Sequence, residues 1–185
     1  MSAFPDHEEF LLVRHEVQAK LRSGAYIDAG DPHLRLVVLP SFEASFSWEI
    51  RAQRSRGAER AWRLVHTFWD FEANLRALGD PVTRLRHTRP YVAAVTQRAG
   101  PIADDVVQGI LAGLRQVSIP LATQDRSMMV DGIRYVLQLF EGTRTLQLEW
   151  NEAQRGAAPL GPVIDELIER FEAQRPASSN AMHFK

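Results

Sequence analysis

Hydrophobic and polar positions alternate most cleanly across Phe42–Arg54. Phe42, Ala44, Phe46, Trp48, Ile50 and Ala52 fall on one side, and Glu43, Ser45, Ser47, Glu49, Arg51 and Gln53 on the other. A period of two is the mark of a strand. The segment therefore predicts a long antiparallel strand with one buried and one wet face. Trp62–Trp69 alternates again, with Trp62, Leu64, His66 and Phe68 sharing a face. Leu34–Leu39 is a short apolar run closed by Pro40, and Tyr91–Gln97 predicts a further strand bounded by Gly100-Pro101.

Elsewhere the period lengthens to that of a helix. Phe10, Val13, Val17 and Leu21 line one face of a helix that opens at Pro5 and ends at Gly24. Leu11 and Leu12 widen this face and predict a well-buried helix. Asp70–Leu78 predicts a second helix, stopped by Gly79-Asp80-Pro81. Ile102–Val117 predicts a third, with Ile102, Val106, Ile110, Leu114 and Val117 on one stripe. Leu160–Phe171 predicts a fourth, with Leu160, Val163, Ile164, Leu167, Ile168 and Phe171 inward. Paired acids at Glu8-Glu9 and Asp104-Asp105 sit in first turns, where they oppose the positive end of the helix dipole.

Asp131–Trp150 is the best-specified stretch and reads as a β-hairpin. With Glu141-Gly142 as a two-residue turn, Leu137 faces Leu146, Tyr135 faces Leu148 and Ile133 faces Trp150. Arg134 then opposes Glu149 on the other face. Matched apolar pairs on one side predict the register, because a slip of one residue would turn every side chain over. The element order α-β-β-β-α-β-α-β-β-α predicts a single α+β domain over residues 1–185. Its sheet is expected to be largely antiparallel, with helices packed mainly on one face. A division near Gly100 into two halves sharing one sheet is the alternative. Residues 176–185 read as a frayed polar tail.

Composition changes this picture only by exclusion. Net charge is −1, so no strongly electrostatic partner is implied for the surface as a whole. Nearly all the positive charge is Arg, since Lys occurs only at Lys20 and Lys185. That bias reflects either GC-rich codon usage or a use for bidentate contacts. Cys is absent, which excludes disulfides, thiolate metal sites and Cys nucleophiles. No apolar run approaches the roughly 18 residues of a membrane span, and the acidic N-terminus lacks the basic region of a secretory signal. A cytoplasmic protein without a membrane partner is expected.

Chemistry-bearing motifs are scarce. None of His7, His15, His33, His66, His87 and His183 forms a His-Glu-x-x-His or His-x-His pair, so no metal is expected. No Gly-x-Ser-x-Gly, Ser-x-x-Lys or phosphate-cradling glycine loop occurs, and no cofactor is expected. His66 and Asp70 would point the same way on a continued strand. They are the candidate acid/base pair, set against a purely structural His within the sheet. Arg51, Arg54, Arg56, Arg60 and Arg63, near Trp48 and Trp62, form a candidate nucleic-acid patch, set against a solvated turn. Trp69 faces away from Trp62. With Arg54, Arg56 and Arg60 it is the candidate surface anchor for a protein partner, set against packing under a helix.

The closing third carries Asp131-Gly132-x-x-Tyr135-x-Leu137, then Gly142, Trp150, a loop, and Leu160-x-x-Val163-Ile164-x-x-Leu167-Ile168. Over Asp131–Phe171 this resembles the closing module of small uncharacterised bacterial proteins, some of them immunity-like or accessory. Those proteins often carry a second Trp in a Pro-x-x-Trp loop. Here Trp150 is followed by Asn151-Glu152-Ala153-Gln154, and only Pro159 remains. The resemblance implies a bacterial protein that binds another protein without catalysis. An RNA- or DNA-binding role through Arg51–Arg63 is the first alternative, and an enzyme with a site near His66 and Asp70 the second. An open edge strand leaves the oligomeric state undetermined at this level.

Overall fold

The computed structural model describes residues 7–24, 30–41, 43–53, 61–80, 93–118, 132–152, 160–176 and 182–184. In chain order the elements are α1 (His7–Ser23), β1 (Asp31–Pro40), β2 (Phe46–Gln53), β3 (Ala61–Trp69), α2 (Phe71–Gly79), β4 (Val95–Ile102), α3 (Asp104–Arg115), β5 (Ile133–Glu141), β6 (Arg144–Asn151), α4 (Gly161–Ala173) and β7 (Met182–Phe184). The strands form one antiparallel sheet in the order β6-β5-β1-β2-β3-β4-β7. The α+β class and the antiparallel sheet are therefore as the sequence pattern predicts. One sheet runs across position 100, with β4 itself spanning it.

The layering differs from expectation, because the helices divide between the two faces. On one face Leu36, Trp48, Ile50, Leu64 and Leu137 pack against Val107 and Ile110 of α3 and Ile164, Leu167 and Phe171 of α4. On the other, Val37, Leu39, Val95 and Val136 pack under Val13, Val17 and Leu21 of α1, with Trp69 beside them. Each fully buried aliphatic side chain contributes roughly 1.5–3 kcal/mol, so both faces contribute to the core. Covering the second face also removes the wet side expected for β2: Ser45, Ser47 and Glu49 are all 0% exposed. The helix α1 covers it with a narrower stripe than its sequence suggests. Leu11 and Leu12, expected to widen the buried face, are 44% and 67% exposed.

Two strand details follow from hydrogen-bond direction. The strand expected at Tyr91–Gln97 instead runs Val95–Ile102, through Gly100 and Pro101. The bond from Asp70 N to Ala94 O fixes the alternation, so even-numbered residues of β4 bond to β3 and Pro101 turns its nitrogen outward. There β7 reaches Val95–Gln97 and not Pro101, and a proline is tolerated where no ladder bond is needed. The strand β7 also corrects the expectation of a frayed tail over 176–185, because Met182–Phe184 pair with the open edge of β4. In the hairpin, the turn is Gly142-Thr143 rather than Glu141-Gly142. Glu141 opposes Arg144, Leu139 opposes Leu146, Leu137 opposes Leu148 and Tyr135 opposes Trp150. Gly142, at φ 59°, supplies the positive first position of a type II′ turn. The shift moves each β6 partner by two residues, so the same side chains stay on the core face.

Candidate functional site

Of the sequence-derived candidates among the described residues, Trp69, Arg51, His66 and Asp70 are each engaged inside the fold. Trp69 is 3% exposed and lies between Phe10 and Phe71, with ring centroids 5.9 and 4.9 Å away. Its indole N–H donates to Asn74 Oδ1 at 2.6 Å, and the same oxygen accepts from Ala94 N at 3.0 Å. This corrects the surface-anchor expectation, since a residue buried under α1 and α2 has no face for a partner. Arg54, Arg56 and Arg60 lie outside the described residues, as do Arg84, Arg86 and Arg89.

Arg51 is committed inside the protein. Its Nη1 donates to Glu49 Oε2 at 2.7 Å and its Nε to Gly30 O at 2.8 Å. Arg35 reaches the same Glu49 oxygen at 3.4 Å and also donates to Gln138 Oε1 at 2.9 Å and to the Arg22 carbonyl. Two guanidiniums thus share one fully buried carboxylate, whose Oε1 has no hydrogen-bond partner among the described residues. Strand alternation assigned Glu49 to water. The available signal was Arg35, a charge inside the apolar run Leu34–Leu39, directly opposite Glu49 across the β1–β2 ladder.

His66 lies on the other face, 3% exposed, stacked on Trp48 with centroids 3.8 Å apart and flanked by Phe68 at 5.2 Å. Burial, with Arg175 and Arg98 adding repulsion, lowers its pKa to about 3. No carboxylate assists it. The side chain of Asp70 instead caps α2, accepting from Ala73 N at 3.0 Å. Nδ1 of His66 has no hydrogen-bond partner among the described residues. The ring is therefore a neutral packing element of the core, and the convergence that an acid/base pair needs is not formed by these two residues.

What the fold does assemble is a groove of about 490 Å³ between α1 and the adjoining ends of β1, β5 and β6. Leu11, Arg14 and His15 line it from α1, and Ser41, Arg134 and Asn151 from the sheet side. Its floor is tied down by Ser41, whose Oγ and N both donate to Gly132 O at 2.9 and 3.0 Å. Arg14 is oriented by donating to Pro40 O at 3.1 Å, and Arg134 by donating to Gln18 Oε1 at 3.0 Å. The carboxylate beside Arg134, Glu149, is held by Arg22 through two bonds of 2.7 and 3.1 Å, with Arg134 Nε at 3.6 Å. The hydrogen bond from Arg22 comes first among the influences that keep its pKa below the usual carboxylate value. Among the described residues, no Asp or Glu lines the groove. Leu11, Arg14, His15 and Gln18 sit at helical spacing of three and four, so the α1 half is present in the sequence as a mixed stripe. The opposing wall comes from Leu39 and Ser41 at the end of β1 and from Gly132, Arg134 and Asn151 much later in the chain, and local pattern carries no sign of their meeting.

Among the described residues, no group of three or more potential metal ligands occurs, and no helix is long and apolar enough to cross a membrane. No family model matches the chain, and no curated protein or solved structure is similar to it.

Proposed function

We propose that this protein is a non-catalytic binding module that acts on another protein, in an immunity-like or accessory role, and that the α1 groove takes an acidic segment of that partner. One observation carries the reading. The groove presents Arg14, His15 and Arg134 with no carboxylate among its described lining residues, and the exposed Leu11 stands at its rim. Arg side chains held by backbone and amide acceptors are pre-oriented, which lowers the ordering cost of binding a carboxylate. The apolar rim supplies area for an aliphatic side chain between the acidic ones. Such a contact steers through charge and weakens with salt.

The test is a fluorescein-labelled peptide of alternating Glu and Leu, measured by anisotropy against a Lys-Leu peptide of equal length. Expected is saturable binding of the acidic peptide alone, weakened about tenfold or more by His15→Glu or Leu11→Asp. Both positions are exposed, so folding should be unaffected. Equal binding of the two peptides, or no response to either substitution, would sink the assignment.

A further inference from the structure

We infer that β6 pairs antiparallel with β6 of a second copy of this chain, about a two-fold axis through Gln147, to make one continuous sheet. The strand lies at the end of the strand order, with β5 on one side and, among the described residues, no strand on the other. Arg144–Gln147 and Glu149 are exposed, and Leu146 is 55% exposed. Edge strands are normally blunted by proline, a bulge or a short length. This one has eight residues, no proline and an uninterrupted register against β5.

The direction of its free backbone groups is fixed by the hairpin. The closing pair of a two-residue turn is a hydrogen-bonded pair, here Glu141 and Arg144. The bond from Glu152 N to Ile133 O confirms the alternation eight residues away. Even-numbered residues of β6 therefore bond to β5. Odd-numbered residues of β6 turn their N–H and C=O groups outward: Asn151 at the strand's end, and the exposed set Thr145, Gln147 and Glu149.

That set is symmetric about Gln147, and this selects the partner. In a two-fold pairing centred there, Gln147 opposes Gln147 of the other copy and Thr145 opposes Glu149. All three residues of the exposed set are used and no others are needed. Leu146 then meets Leu148 at the closer, non-hydrogen-bonded spacing, and this happens twice by symmetry. Leu148 already packs, partly buried, against the core, so the apolar face continues from one copy into the next. A centre at Leu148 would instead set Leu146 opposite Trp150, which is already buried in its own core. A centre at Glu149 would set two carboxylates face to face. No like charges oppose each other in the register through Gln147.

Because the chain has no Cys, one introduced thiol reports the pairing cleanly. Gln147→Cys would stand opposite itself at about 5.5 Å between Cα atoms, inside the roughly 4.4–6.8 Å range of a disulfide. Two copies of Thr145→Cys would be roughly 14 Å apart, four residues out of step. Under mild oxidation of the full-length protein, Gln147→Cys is expected to form a covalent dimer. Thr145→Cys and Glu149→Cys should each form no covalent dimer alone and cross-link when mixed. Sedimentation of the unmodified protein should give a dimer, and Gln147→Pro a folded monomer, because its lost N–H faces outward. A monomer up to about 200 µM would overturn the inference. So would cross-linking of Thr145→Cys to itself as readily as Gln147→Cys.

Discussion

Glu49 is the residue on which most of the second face depends. It is a carboxylate with no exposure, bonded to Arg51 and reached by Arg35, and both cations are themselves nearly buried. Removing one partner of a buried ionic group leaves the others uncompensated, at a cost of about 3–5 kcal/mol. Glu49→Ala should therefore lower the urea midpoint strongly. Glu49→Gln should cost less, because an amide oxygen can still accept from Arg51. Equal midpoints for wild type and Glu49→Ala would show that the two guanidiniums are satisfied without it. The sequence made Glu49 legible as one of a polar row on a strand and no more. Whether that row meets water depends on what lies over it.

At the scale of elements, period and breakers place most helices and strands within a few residues. They fail where a backbone direction decides. Pro101 reads as a strand end, yet β4 passes through it because its nitrogen faces the sparsely paired edge. The hairpin turn moves by one residue because Gly142 fits the first position of a type II′ turn. The start of β1 rests on a similar constraint. Gly30 has φ 93°, and a Cβ there would stand 2.0 Å from the Ala52 carbonyl oxygen of β2. Gly30→Ala combines a left-handed backbone with a clash against backbone that cannot swing away. It should lower stability by about 2 kcal/mol or more, read as a drop in melting temperature, whereas Gly79→Ala, with open space around it, should leave it within about 0.5 kcal/mol. Matching losses for the two variants would contradict this account.

Across the whole molecule, His66 couples the core to pH. Its folded pKa, lowered to about 3 by burial and by Arg175 and Arg98, lies below its ordinary value of 6.5. As pH falls below 6.5 the unfolded chain takes up a proton that the native state refuses until about pH 3. The native state thus loses stability on acidification through that window, by up to about 1.4 kcal/mol per pH unit. Glu149, whose pKa is lowered from 4.5 chiefly by Arg22, adds a second loss only at lower pH. Between pH 6.5 and 5, His66→Gln should flatten the dependence of the urea midpoint on pH. A slope unchanged by that substitution would mean the ring is protonated in the native state.

The same division between local and global runs through the candidate sites. Trp69, Arg51 and His66 stand out in the sequence as aromatic or ionisable residues. The structure spends each of them internally, on Asn74, Glu49 and Trp48. The groove that remains draws on Leu11, Arg14 and His15, which no motif marks, and on Arg134 from the far end of the chain.

By itself the sequence determined the identity of every described element except β7, the core-facing side of β2, β3 and the hairpin, and the absence of thiol chemistry. These follow from period and composition, which are properties of neighbours along the chain. Only the tertiary structure decided that the second face of the sheet is also covered, that Glu49 is buried between two arginines, that Arg134 faces α1, and that β6 ends the strand order. Those outcomes depend on contacts between residues tens to more than a hundred positions apart. Their energies are set by what packs over a side chain, and a local pattern does not encode that.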